Sequence, residues 1–125
     1  MSIFNFFKKK PQIPIEDASE RKVRTLVQTY GFDFSAIDKQ DIVRLLNDEL
    51  QAPQGKNAEY IRALCGYLFC VGDKNDAPLL EKAKYGIDMD VGCMIDAEWI
   101  ECLAQDSSSK DEQMGEFVRY YRDYI

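Results

Sequence analysis

The sequence predicts an all-α protein, and three observations predict it. Apolar residues recur at steps of three and four through most of the chain. Asp, Asn and Ser stand where the periodic stretches begin, and Gly or Pro stands where they end. No stretch alternates apolar and polar residues as a half-buried strand would. The expected architecture is about six helices in antiparallel hairpins, arranged either as a HEAT/armadillo-like stack or as an irregular helical bundle. The chain has 125 residues, the size of one domain with its own core. Pro11 and Pro14 separate a flexible N-terminal tail, residues 1–15, from a single helical domain, residues 16–125.

The first helix is expected over Ala18 to Tyr30. Asp17 and Glu20 form a capping box, Val23, Leu26, Val27 and Tyr30 share one face, and Gly31 supplies the left-handed residue that ends it. The second runs from Lys39 to Gln51, with Asp38 as cap, Ile37 and Ile42 as a hydrophobic staple, and Pro53 and Gly55 beyond its end. The third, Ala58 to Val71, follows Asn57 and is apolar on nearly every side, which marks it as the central buried helix. Gly66 inside it sacrifices about 1 kcal/mol of helix propensity relative to alanine, so a close helix crossing is expected there.

The fourth helix, Ala77 to Tyr85, is capped by Asp76, carries Pro78 in its first turn and ends at Gly86. The fifth is expected from Val91 to Ala104 after Asp90, with Val91, Met94, Ile95, Trp99, Cys102 and Leu103 on one face. The sixth runs from Glu112 to the end. Ser109 and Glu112 read as its capping box, and Met114, Phe117, Val118, Tyr121 and Ile125 form its stripe. The loop between Leu50 and Asn57 and the Ser107-Ser108-Ser109 segment are expected to be the least ordered parts of the body.

The segment around the third and fourth helices, residues 57–86, carries a resemblance. Ala63-Leu64, Leu68, Gly72-Asp73 and Pro78-Leu79-Leu80 resemble one unit of a HEAT-type helical-hairpin repeat, in which a Gly-Asp turn joins two helices. No second copy with that spacing occurs in the chain. More loosely, the whole chain is similar to small acidic all-helical bacterial proteins, some of which are immunity proteins of toxin systems. Both resemblances imply a surface that binds another macromolecule rather than a catalytic centre.

Composition removes several function classes. The chain contains no histidine, so the commonest general base and the His-dependent dyads and triads are missing. No Gly-rich phosphate loop occurs. Asp73-Lys74-Asn75-Asp76 opens like a calcium loop, but Pro78 and Lys84 occupy the positions that need Gly and an acid. Cys65, Cys70, Cys93 and Cys102 form no Cys-x-x-Cys pair; each is expected to be a small buried hydrophobe in a reduced, cytoplasmic protein. No apolar run is long enough to span a bilayer. In the N-terminal Phe/Lys segment the apolar part precedes Lys8-Lys9-Lys10, the reverse of a signal peptide. A loosely docked terminus is expected, with membrane-surface contact as its alternative. No cofactor, metal or catalytic residue is assigned.

Charge is segregated. The chain carries a net −6, yet between Tyr85 and Glu116 nine acids face one base, Lys110, for −8, which leaves +2 for the remainder. The negative balance and the small basic clusters argue against nucleic acid. The candidate partner-binding residues are Asp88, Asp90, Asp96, Glu98, Glu101, Asp106, Asp111 and Glu112, joined by Tyr120 and Tyr124 near the C-terminus. The expectation is a non-catalytic protein-binding module that meets a basic protein partner through an acidic face, in its narrowest form an immunity-type inhibitor of a basic toxin. A scaffolding subunit with apolar and aromatic contacts, including self-contact in a homo-oligomer, is the alternative. An enzyme relying on carboxylates or a metal, through Asp88, Asp90 and Asp96 or through Asp73 and Asp76, is the third.

Overall fold

The computed structural model describes residues 18–51, 57–87 and 89–124. Within them the chain is all-α, with no strand. Seven α-helices occur: α1 (Ala18–Tyr30), α2 (Lys39–Leu50), α3 (Ala58–Val71), α4 (Ala77–Tyr85), α5 (Met89–Met94), α6 (Ala97–Gln105) and α7 (Lys110–Tyr121). Single 3-10 turns cover Phe34–Ala36, Lys74–Asp76 and Arg122–Tyr124. The expected tail and the cap at Asp17 lie outside the described residues, as do Pro53 and Gly55.

Helix α3 is the hub. Ten of its fourteen residues are buried, and each of the other six helices packs against it. The nearly all-round apolar pattern of this segment follows from that position, since little of its surface is left for water. Gly66 answers to the crossing of α3 with α7. A Cβ there would lie 2.2 Å from Cε1 of Phe117 and 3.1 Å from the Trp99 ring. Tyr67 and Phe117 meet edge-on at 5.1 Å, and Phe69 stacks on Trp99 at 5.9 Å, arrangements that aromatic rings favour.

The caps explain where the helices stop and start. Gly31 adopts φ +63° after α1, a conformation open to glycine without a Cβ penalty. Asp38 accepts from the Gln40 amide at the start of α2. Between α3 and α4, Asp73 accepts from Asn75 N, while Asp76 Oδ2 accepts from Asp73 N and from Lys39 Nζ. Asp76 therefore closes a reciprocal box with Asp73, and its side chain makes no cap bond to α4. Two further expected caps are otherwise employed. Asn57 donates to Glu49 Oε2, and Ser109, at ψ 0° rather than extended, makes no cap bond to α7.

The expected fifth helix is two. Asp96 takes an extended conformation (φ −76°, ψ 120°) and accepts from Glu98 N, so α5 ends and α6 restarts with its own cap. Lys84 Nζ donates to Gly92 O and Ile95 O at the end of α5. There its charge also favours the negative pole of the helix. Cys65, Cys70 and Cys102 are buried as expected, but Cys93 is exposed, because it lies on the outer side of the short α5.

Candidate docking face on α6 and α7

The acidic segment folds into α6, its exit loop and the first turns of α7. Asp96, Glu98, Glu101, Asp106, Asp111, Glu112 and Glu116 are all exposed. The helix period explains this. Trp99, Ile100, Cys102 and Leu103 turn inward, which leaves Glu98 and Glu101 on the outer side of the same helix. Asp106 ends α6 in the left-handed conformation, φ +53°. Asp88 lies outside the described residues, and only the backbone of Asp90 falls within them, in α5.

Lys110, the one base among the acids of this segment, does not neutralise them. Its ammonium donates to Gly72 O at 2.8 Å and lies 5.8 Å from the centre of the Phe69 ring. It thus closes the C-terminal end of α3, where the helix dipole favours a cation. Lys84 is likewise held by backbone carbonyls. Both cations are half-buried and held by backbone carbonyls, while the carboxylates remain exposed.

Two concavities lie along the seam between α6 and α7. One, of about 120 Å³, is lined by Glu98, Glu101, Cys102, Gln105, Ser107, Ser109 and Gln113. Its serines are tied together. Ser107 Oγ and Ser109 Oγ lie 3.1 Å apart, Ser109 N donates to Ser107 Oγ, and Gln113 Nε2 donates to Ser109 Oγ. The expected loose segment is therefore a hydrogen-bonded corner. Gln113 Oε1 is buried with no hydrogen-bond partner.

The second, of about 160 Å³, is lined by Arg62, Asp96, Trp99, Gln113, Glu116, Phe117 and Tyr120. Arg62 reaches it from α3. Its guanidinium lies 4.3 Å from the Tyr120 ring centre, 5.4 Å from Trp99 and 5.5 Å from Tyr121. Its Nη1 donates to Tyr121 Oη at 2.6 Å, and Tyr121 Oη donates to Glu59 Oε2 at 3.2 Å. Burial, the largest influence, pushes the Tyr121 phenol well above its ordinary value; the Arg62 charge opposes this and Glu59 reinforces it.

The structure brings Asp96 and Tyr120 together at one pocket and Glu98 and Glu101 at its neighbour, with Gln113 shared. Tyr124 does not join them. It is half-buried against α1, where Gln28 Nε2 donates to its carbonyl and the Arg24 guanidinium lies 5.4 Å from its ring. Arg62 and Gln113 escaped the sequence reading, although Arg62 is the only charged residue of α3 after Glu59, a signal that could have singled it out. A larger groove of about 370 Å³ lies elsewhere, between α1, Leu45 of α2 and Tyr60 of α3. Its rim is basic, and one of its cations, Lys22, pairs with Glu49 at 3.0 Å.

Among the described residues, no cluster of three or more His, Cys, Asp or Glu could hold a metal ion. None of their helices is long and apolar enough to cross a membrane. No protein-family model, curated protein or solved structure matches the chain.

Proposed function

We propose that this chain is a non-catalytic protein-binding module that docks a basic partner through the α6–α7 face. The observation that carries the reading is the disposition of charge. Carboxylates of α6 and α7 point outward, while Lys110 is drawn inward onto the end of α3. Such a face raises association rate and enforces partner choice by steering. In its narrowest form the module is an immunity-type inhibitor that covers the basic surface of a toxin. The α3–α4 pair, with its Gly72-Asp73 turn, would be the HEAT-like part of the scaffold.

The test is association with a candidate basic partner, measured against salt. Glu98→Lys, Glu101→Lys and Glu112→Lys together should slow association by about tenfold or more and flatten its salt dependence. An unchanged rate would remove the acidic face from the interface. The scaffolding alternative, expected to use Tyr120, Tyr124 and the N-terminal Phe residues, retains Tyr120, which is 53% exposed, and gains Tyr85, which is 70% exposed. It predicts binding that resists salt and fails in Tyr85→Ser/Tyr120→Ser.

A further inference from the structure

Arg62 is half-buried, yet it has no carboxylate within ion-pair distance among the described residues, and Tyr121 Oη is its one hydrogen-bond acceptor there. A guanidinium has five N–H donors. The others have no acceptor among the described residues, and Arg62 lines the 160 Å³ concavity. An arginine in that condition is suited to a planar anion, a carboxylate above all, which it can bind in a bidentate fork.

The rest of the pocket restricts which carboxylate. Asp96 and Glu116 stand on its lining. Asp96 uses Oδ1 to cap α6, and Glu116 has, among the described residues, only a loose 3.9 Å contact to Arg119. A simple anion would be repelled by these two acids, and a simple cation by Arg62. A ligand with a carboxylate and an ammonium a few bonds apart satisfies both signs at once. Trp99, Phe117 and Tyr120 supply apolar and aromatic wall for a side chain. At about 160 Å³ the concavity is well below the roughly 300–1,000 Å³ of sites for drug-sized ligands, so it suits a small molecule such as a single amino acid.

The geometry points to a binding site for a free α-amino acid, with Arg62 on its carboxylate, Asp96 and Glu116 on its ammonium, and the aromatic wall against an apolar side chain. The site does not depend on the protein-docking reading, because the ligand needs no macromolecular partner.

The test is calorimetric titration and thermal shift of the full chain with the standard L-amino acids, each up to about 10 mM. At least one with an apolar side chain should bind with a dissociation constant of about 1 mM or tighter. Its amide and its N-acetyl derivative should each bind about tenfold more weakly or worse. Asp96→Asn keeps a good helix cap and removes the charge; combined with Glu116→Gln it should weaken binding by about tenfold. Arg62→Lys should weaken it by a similar factor. If Arg62→Lys fails to fold, the Asp96→Asn/Glu116→Gln pair, both at exposed positions, decides the matter. Absence of binding by every amino acid would overturn the assignment. So would equal binding of the amide and N-acetyl derivatives, or unchanged affinity in the folded double variant.

Discussion

A Cβ added to Gly66 would sit 2.2 Å from Cε1 of Phe117, so α3 and α7 cross at a point where only a hydrogen fits. Phe117 is held on its other sides by Tyr67 and Tyr121, at ring distances of 5.1 and 4.9 Å, and cannot simply withdraw. Gly66→Ala should therefore lower stability by about 1–3 kcal/mol through overpacking, despite the gain of about 1 kcal/mol in helix propensity. Urea denaturation checks this. Pairing it with Phe117→Leu should recover part of the loss, giving a favourable coupling in a double-mutant cycle.

Tyr121 links Arg62 to Glu59 through a single hydroxyl. Tyr121→Phe keeps the ring contacts and removes the link. Two charged groups then lose a partner, and stability should fall by about 1–3 kcal/mol. Arg62→Met, which removes the cation as well, should cost less in the Tyr121→Phe background than in the parent. Equilibrium unfolding of the four proteins measures that coupling.

The thiols should divide by burial. Cys93 is exposed and the other three are buried, so a thiol reagent should modify one cysteine rapidly and the rest only at the rate of opening. Mass spectrometry of the labelled peptides identifies the site. Labelling of Cys65 or Cys70 as fast as Cys93 would contradict the packing.

Stability should decline on the alkaline side. Burial pushes the Cys70 thiol up to about 12 and raises the Cys65 thiol and the Tyr67 and Tyr121 phenols. These groups stay protonated in the folded chain while the unfolded chain ionises, thiols near pH 8.5 and phenols near 10 on ordinary values. Their contribution is complete below those pH values. Above them each group removes about 1.4 kcal/mol per pH unit until its folded form ionises too. Denaturant midpoints should therefore fall from about pH 9 upward, more steeply beyond about pH 10.

Asp106 holds a left-handed conformation at the end of α6, φ +53°, and places an acid at the negative pole of that helix. Both features are unfavourable. Asp106→Gly should raise stability by about 0.5–1 kcal/mol, the conformational relief exceeding the entropy that glycine adds to the unfolded chain. Thermal denaturation would show it as a higher midpoint.

Where a helix was bounded by strong local chemistry, its limits were readable from residues alone. Gly31, Asp38, Gly72-Asp73 and Pro78 mark α1, α2, α3 and α4 by backbone effects that act within a few residues. The break between α5 and α6 was not readable, because the apolar stripe from Val91 to Leu103 runs on across Ile95 and Asp96 without losing phase. Periodicity registers which side faces the core and is blind to a cap inserted in step with it. Ser109 misled in the opposite way. Its type suits a cap, but its hydroxyl is taken by Ser107 and Gln113.

The candidate site divides along similar lines. Asp96, Glu98 and Glu101 were legible as surface because charge and helix phase are local properties. Arg62 was not, since its significance comes from Tyr121, 59 residues later, and from a pocket assembled by three helices. Tyr120 and Tyr124 look equivalent in sequence, four apart on one turn of pattern. The chain tightens into a 3-10 turn after Tyr121, which carries Tyr124 away to α1.

The hub position of α3 also sets the order in which this molecule can be completed. A ribosome delivers α3 well before α6 and α7, whose Trp99 and Phe117 cover Phe69 and the Gly66 notch. Until those late segments emerge, the most apolar helix of the chain stands partly uncovered. The nascent protein thus passes through an interval of heightened stickiness that only its final third relieves.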